Sequence, residues 1–309
     1  MGRGKPKCDA STVKIIVAIE DARQASEGII NPNETVSTKE LNTFFIPKTD
    51  GGAHEGWIKH LTNSGIDLQH IPLSEVAKGM ISYSSNANTE YLMSLLGLDH
   101  IEHLLQSLHV ANHDSLYPIV SALFIPEHLK KERNLSKKEL VAVLNRMEME
   151  EYRRLAIDIH NSWLKQPLTE QEKKLLLKDL NMDIQRIWSD RLPGATAQDY
   201  VSIMRKLNNK SYFEQRVYDY LDPVMEQLME NPSNRQWLVH AGQKGGSTAF
   251  VLTNSMYATD KEGNETELAF FSNDLTSFEQ AKLSKNLHGF QLKFLTDEDF
   301  RAQVKRELE

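Results

Sequence analysis

Ser11-Thr12-Val13-Lys14 is followed directly by an unbroken apolar run, Ile15-Ile16-Val17-Ala18-Ile19. Such a run predicts a buried helix, which we place over residues 12–27. Residues three apart share a helix face, so Ser11 and Lys14 are predicted to lie together at the N-terminal end of this helix. Burial disfavours the charged form of a lysine, and a partly neutral amine can accept the proton of a hydroxyl that attacks a carbonyl. The ordinary alternative, a helix-capping serine beside a solvated lysine, stays open at this point.

Composition limits the classes of function. The chain has 309 residues, of which 40% are hydrophobic and 26% charged, so it is globular and long enough for one large domain or two ordinary ones. A net charge of −7 argues against a general binder of nucleic acid or anionic membranes. The one cysteine, Cys8, excludes an intrachain disulfide and a cysteine metal cluster. No run has the length of a membrane helix, and the basic start lacks the apolar core of a signal peptide.

The middle and the tail of the chain have different patterns. Apolar residues recur at three- and four-residue spacing from Lys130 to Ser189, which predicts long helices broken near residues 166–169. The tail predicts strands and final helices, with Gly289 as a stop between the helices. The predicted strands are 237–240, 248–258 and 267–272, with a hairpin turn at 260–264. We therefore expect a single α/β (α+β) domain over residues 1–309. Its antiparallel sheet is flanked by a large helical region, with a helical insertion at about 130–190 and the active site between sheet and helices.

Two more motifs follow Ser11 and Lys14. Ser84-Ser85-Asn86 falls in a predicted loop between two helices, and Lys244-Gly245-Gly246 falls on a predicted antiparallel strand. Each alone reads as a capping loop or a strand turn. In this order and setting, the three motifs resemble those of the active-site serine penicillin-recognising enzymes, most nearly the class A β-lactamases. The resemblance implies the β-lactamase/D,D-peptidase-like fold. It extends to the surroundings, where 192–198 is similar to a helix start and 240–248 to the lysine-bearing strand.

The resemblance implies three catalytic residues. Ser11 would attack a β-lactam, or a related amide or ester, and become acylated. Lys14 would be the base, either directly or through water, and Ser84 would pass a proton to the leaving nitrogen. These roles make the chain a serine hydrolase that works through an acyl-enzyme.

The resemblance also implies a substrate-binding set. Asn86 would hydrogen-bond the amide side chain of the substrate and orient the base lysine. Lys244, in the motif that ends at Gly246, would add positive potential, hold the substrate carboxylate and bias Ser84. The backbone N–H groups of Ser11 and Ser247 would form the oxyanion hole.

Three departures from the family pattern bear on function. Gly245 stands where the family usually has Thr or Ser, whose hydroxyl contacts the substrate carboxylate; Ser247 or Thr248 could compensate. The glutamate that activates the deacylating water in class A enzymes has no clear counterpart. Glu127 is the nearest candidate, and the alternative for it is an exposed acid at a helix start. Family members have a helix and two strands before the serine motif, where this sequence has ten residues. The sheet is then smaller, another element replaces those strands, or the chain is truncated.

Two other functions remain open. One is a non-catalytic or slowly deacylating penicillin-binding sensor or scaffold on the same fold, and the other is a helical interaction protein with accidental motifs. The histidines between residues 100 and 113 complete no known zinc pattern, so we expect no metal and no cofactor. The expected partner is a small-molecule β-lactam, peptide or ester, with no nucleic acid and no membrane segment. The family resemblance implies a periplasmic or extracellular location, although no export signal is seen, and the oligomeric state is open.

Overall fold

The computed structural model describes residues 7–8 and 10–308. Its helices are α1 (Lys14–Glu27), α2 (Thr38–Leu41), α3 (Ala53–Asn63), α4 (Leu73–Lys78), α5 (Asn86–Leu96), α6 (Leu98–Ser107), α7 (Ile125–Arg133), α8 (Lys137–Arg146), α9 (Met149–Lys165), α10 (Glu170–Asp179), α11 (Met182–Arg191), α12 (Ala197–Asn208), α13 (Gln215–Met225), α14 (Ser277–Thr296) and α15 (Glu298–Leu308). Its strands are β1 (Lys7–Cys8), β2 (Thr35–Val36), β3 (Ile71–Pro72), β4 (Gly194–Ala195), β5 (Leu238–Ser247), β6 (Leu252–Asp260) and β7 (Glu265–Ser272). None of these helices is long and apolar enough to cross a membrane.

The predicted buried helix is confirmed as α1. A 3-10 turn at Ala10–Val13 leads into it, and Gly28 ends it in a left-handed conformation with φ 73°. The apolar run that follows Lys14 is at most 1% exposed at every position. Helices α5, α6 and α13 pack around α1. A helix enclosed in this way buries its polar positions as well, and Lys14, Glu20 and Asp21 are all buried.

An antiparallel sheet forms late in the chain, as expected, in the order β5–β6–β7. The predicted turn at residues 260–264 joins β6 to β7, where the Asp260 N–H donates to the Asn264 carbonyl. The strand bounds differ from the prediction, because β5 continues to Ser247 and carries the whole lysine motif. Helix α12 packs on β6 and β7, and Gln291 of α14 donates to Asn254 of β6. The motif strand β5 is left at the edge of this three-stranded sheet.

Helices α8 to α11 occupy the stretch from residue 137 to residue 191 and pack into a second hydrophobic cluster with α7. The predicted break near residues 166–169 is confirmed, since Thr169 caps α10 through a capping box with Glu172. The predicted stop at Gly289 is wrong, because α14 continues to Thr296 and ends where Asp297 is extended. An isolated glycine costs a helix only about 1 kcal/mol, which the rest of a long helix offsets.

Asp21 is the acid whose burial on α1 should cost stability. It is 7% exposed, and its Oδ1 atom has no hydrogen-bond partner in the described structure. Desolvation, followed by the nearby charge of Glu20, raises the pKa of Asp21 from 3.8 to about 7. The folded protein therefore binds a proton that the unfolded chain releases between these pH values, so stability falls as pH rises through this window.

We predict that Asp21→Asn stabilises the protein at pH 8 by roughly 2–4 kcal/mol, because each unit of pKa shift corresponds to about 1.4 kcal/mol. Near pH 4 the gain should largely disappear, since the native carboxyl is then protonated when folded. Urea unfolding of wild type and variant at the two pH values measures this, with the exposed Asp99→Asn as control. An equal effect at both pH values would contradict the argument.

Candidate active site

A cavity of about 550 Å³ lies where the turn before α1, the loop before α5 and the edge strand β5 come together. We call it the Ser11 cavity. The motif residues that line it are Ser11, Ser84, Asn86, Gly245, Gly246 and Ser247. Lys14 and Lys244 lie behind this lining, with exposed fractions of 0% and 4%. The structure thus brings the three motifs together although they are far apart in the sequence.

Lys14 is held by the loop of the second motif. Its Nζ donates to the Ser84 carbonyl at 2.6 Å and to Asn86 Oδ1 at 2.7 Å, and it lies 3.1 Å from Ser84 Oγ. Ser84 can present both its carbonyl and its hydroxyl because its backbone is left-handed, with φ 68°. This conformation is uncommon outside glycine and costs on the order of 1 kcal/mol. The cost is offset by the bonds to the lysine.

Lys244 reaches the same hydroxyl from the opposite side. Its Nζ donates to Ser84 Oγ at 3.0 Å and to the Gly245 carbonyl at 2.6 Å. Ser84 Oγ therefore bridges two lysine amines. A hydroxyl between two amines can take a proton from one and give a proton to the other, which is what a proton relay requires.

Both amines are shifted toward the neutral form. Burial, then the nearby positive charge of Lys244, lowers the pKa of Lys14 well below 10.5, and the negative charge of Asp50 opposes this shift. Burial lowers the pKa of Lys244 to about 7. A neutral Lys14 has two N–H donors and one lone pair. In this form, the two N–H groups of Lys14 donate to the Ser84 carbonyl and to Asn86 Oδ1. The nitrogen lone pair can then accept a hydrogen bond from the Ser84 hydroxyl.

Strand β5 passes close to the backbone of Ser11. A Cβ atom at Gly246 would lie 2.3 Å from the Ser11 nitrogen, so only glycine fits there. Gly246 pairs with Thr253, and the Thr248 N–H donates to the Val251 carbonyl. Because N–H groups alternate in direction along an antiparallel strand, the Ser247 N–H faces the free edge of β5. The close approach at Gly246 therefore brings the end of the motif strand next to the Ser11 backbone.

One expected contact is missing from the described structure. No hydrogen bond joins the Ser11 hydroxyl to Lys14, whose polar contacts all go to Ser84 and Asn86. Ser11 lies in the 3-10 turn at Ala10–Val13, whereas Lys14 is the first residue of α1. Proton transfer from Ser11 in this geometry needs a water molecule or the Ser84 hydroxyl.

Glu127 does not line the Ser11 cavity. It lies near the start of α7, where its Oε1 is 3.6 Å from Lys131 Nζ, and it is buried rather than exposed. The carboxylate that does line the cavity is Asp50, which was not among the predicted site residues. Its oxygens accept the N–H groups of Gly52, Ala53 and His54 at the start of α3. The sequence signal was an Asp before two glycines, which is also common in turns.

Two buried networks support the cavity and were also not foreseen. The Nδ1 atom of His54 lies 2.9 Å from Ser85 Oγ. Glu90 of α5 is fully buried and accepts the N–H groups of Val120 and Ser121, beside the cavity-lining Ile119. His160 Nδ1 lies 3.1 Å from the same carboxylate. These contacts fix α5 and the adjacent wall of the cavity.

The fold resembles solved β-lactamase structures. The TLA-3 extended-spectrum β-lactamase has a TM-score of 0.53 at 14% identity, covering 91% of this chain and 80% of its own. The β-lactamase of Sphaerobacter thermophilus has a TM-score of 0.52 at 17% identity, and the match covers 94% of this chain and 85% of that protein. A class A β-lactamase from Bacteroides cellulosilyticus has a TM-score of 0.51 at 14% identity, and the match covers 90% of this chain and 78% of that protein. At such identities the likeness concerns the fold, which is that of the class A β-lactamases.

The sequence comparisons bear on the family. A search of curated proteins found no match. The model of the beta-lactamase enzyme family matches residues 8–242, a span that includes the serine–lysine motif and the Ser84–Asn86 loop and ends just before Lys244. Since this match covers most of the chain, the protein belongs to the beta-lactamase enzyme family.

Proposed function

We propose that this protein is a serine hydrolase that forms an acyl-enzyme on Ser11 with a β-lactam or a related amide or ester. The observation that carries the proposal is the Ser84 hydroxyl, which lies within 3.1 Å of both lysine amines in a cavity that also contains Ser11. A structural role alone does not require two buried lysines around one hydroxyl. The proposal includes a periplasmic or extracellular location, as the family resemblance implies.

The proposed reaction begins with attack of Ser11 Oγ on the substrate carbonyl. The Ser11 proton passes to the Lys14 amine through a water molecule or the Ser84 hydroxyl, and the N–H groups of Ser11 and Ser247 stabilise the oxyanion. The bond from the carbonyl carbon to the leaving nitrogen or oxygen then breaks, and Ser84 gives that atom a proton, replaced from Lys14 or Lys244. The product of this half-reaction is an ester on Ser11.

A second candidate is a slowly deacylating penicillin-binding sensor. Hydrolysis of the ester needs a base that activates water. Among the described residues that line the Ser11 cavity, Asp50 is the sole carboxylate, and three backbone N–H groups hold it at the start of α3. This favours an acyl-enzyme that forms more readily than it breaks down. The lifetime of the adduct distinguishes a hydrolase from a sensor.

We predict that a fluorescent penicillin adds its mass once to the wild-type protein and not to Ser11→Ala, because Ser11 supplies the attacking oxygen. Intact-mass spectrometry measures the adduct, and its decay over time gives the deacylation rate. Ser82→Ala, at an exposed serine close to Ser84, serves as the control and should label like the wild type. An adduct on Ser11→Ala, or none on the wild type, would remove the β-lactam assignment.

We predict that Gly246→Ala lowers the rate of Ser11 acylation by at least about a hundredfold, in the range lost with an oxyanion-hole donor. Its methyl group would have to displace the Ser11 backbone. Gly289→Ala is the matched control, since its Cβ meets nothing within 4 Å. Labelling rates and circular dichroism of both variants test this. Wild-type labelling by a folded Gly246→Ala protein would show that the close approach is not needed.

The acylation rate should rise with pH and level off well below pH 10.5, because Lys14 accepts protons only when neutral and its pKa is lowered. The two amines titrate as a pair. Lys244→Met removes the neighbouring positive charge, which should move the midpoint of the profile to higher pH, whereas Lys244→Arg should not. Stopped-flow labelling between pH 5 and 10 measures the profiles. A midpoint unchanged by Lys244→Met would argue against the coupling.

A further inference from the structure

The Ser11 cavity has an unusual charge for a site that accepts anionic substrates. Asp50 is the sole ionisable side chain among the described residues that line it. The two lysines that could offset this charge lie behind the lining and are almost completely buried. A ligand in the cavity therefore lies against the Asp50 carboxylate, whereas the positive charge of the two lysines acts on it only from behind the cavity wall.

The N–H donors of Lys14 and Lys244 are also engaged in hydrogen bonds within the protein. Lys14 is fully committed to Ser84 and Asn86. Lys244 donates to Ser84 Oγ and to the Gly245 carbonyl. A neutral lysine amine has only two N–H groups, so in that form Lys244 has no donor left for a substrate carboxylate. The lowered pKa of Lys244, about 7, makes this form abundant at neutral pH.

Most hydroxyl groups near Gly245 do not replace these donors. Gly245 has no side chain to offer. The Thr248 hydroxyl, a possible substitute in the sequence, lies 2.7 Å from Ser189 Oγ and accepts the Phe250 N–H. Thr253 Oγ1 donates to the Gly246 carbonyl. The exposed Ser247 is left as a hydroxyl on this strand without such a bond.

The leaving group of a substrate should lie beside Gly245. Ser84 delivers the proton to the leaving atom in the proposed reaction, and Lys244, the neighbour of Gly245, holds Ser84 from that side. Substituents on the leaving group then point toward the strand that lacks both a free cation and a side-chain hydroxyl at this position.

We propose that the Ser11 cavity prefers acyl substrates whose leaving group is neutral or cationic and disfavours, without excluding, those that carry a carboxylate there, as penicillins do. The proposal rests on the proposed acyl transfer to Ser11 and names its substrate class. In the reaction, the Ser11 Oγ–carbon bond forms, the bond to the leaving atom breaks, and the Ser11 proton ends on the leaving group. Water later hydrolyses the ester, so no further reactant is needed.

Three phenylacetyl thioesters that differ only in the leaving thiol test the proposal. The thiols are mercaptoacetate, its neutral amide, and cysteamine, which is cationic. Thiol release is measured for each and normalised to its own uncatalysed hydrolysis. We expect the wild type to prefer the amide and the cysteamine ester over the mercaptoacetate ester by about tenfold or more, the scale of one missing charge contact.

Variants separate the two structural causes. Gly245→Thr adds a hydroxyl, with the new Cβ 3.3 Å from Nδ2 of the Asn254 side chain, which must shift by a few tenths of an ångström. It should raise the rate for the mercaptoacetate ester severalfold. Gly245→Val is the matched control, with the same shape and no hydroxyl, and should not. Asp50→Asn keeps an oxygen that can cap α3, removes the charge, and should reduce the preference for cysteamine.

The outcomes distinguish this inference from the proposed function. If the mercaptoacetate ester acylates Ser11 fastest in the wild type, the substrate class is wrong while acyl transfer stands. If Gly245→Thr and Gly245→Val behave alike and Asp50→Asn leaves the order unchanged, the assigned cause is wrong. If no thioester yields an adduct on Ser11 by mass spectrometry, both the proposed function and this inference fail.

Discussion

The structure depends on the burial of one lysine amine. Lys14 has no exposed surface, and a buried amine without partners would cost several kcal/mol. The loop of the second motif provides those partners through the Ser84 carbonyl and the Asn86 side chain. This requirement links α1 to the start of α5 and explains why Ser84 takes a left-handed backbone. The same contacts place the Ser84 hydroxyl between Lys14 and Lys244, so the interaction that satisfies the lysine also builds the candidate site.

The rest of the fold supports this arrangement from two sides. Strand β5 lies at the sheet edge and brings Lys244 and Gly246 to the turn that carries Ser11. On the other side, the buried Glu90 carboxylate ties α5 to the segment at residues 120–121 and to His160 of α9. The helices around residues 137–191 thus do more than extend the chain. Through Gln185 and Trp188 of α11 they also form part of the cavity lining.

Local patterns in the sequence predicted the features that are local in origin. The apolar run after Lys14 predicted α1, the cluster at residues 166–169 predicted a helix break, and the turn residues at 260–264 predicted the β6–β7 hairpin. The helix stop predicted at Gly289 was wrong because a single glycine weakens a helix without ending it. Glu90 could not be found, since it accepts the N–H groups of Val120 and Ser121, which only the tertiary fold brings near. Asp50 caps the adjacent helix in a local pattern common in turns, and only the fold places it in the cavity. The partners of Lys14 were missed in part for the same reason. Helical spacing suggested Ser11 as the partner of Lys14, whereas in the fold the partners of Lys14 are Ser84 and Asn86 of the loop before α5.

The most direct test of this account is the titration of the lysine side chains by NMR, in protein labelled with carbon-13 at the lysine Cε positions. We expect two resonances that titrate well below pH 10.5, one of them lost in Lys14→Met and the other in Lys244→Met. With Lys244→Met, the midpoint of the remaining shifted resonance should also move upward. If every lysine in the wild type titrates near 10.5, the amines are not buried around Ser84, and the site described above is wrong.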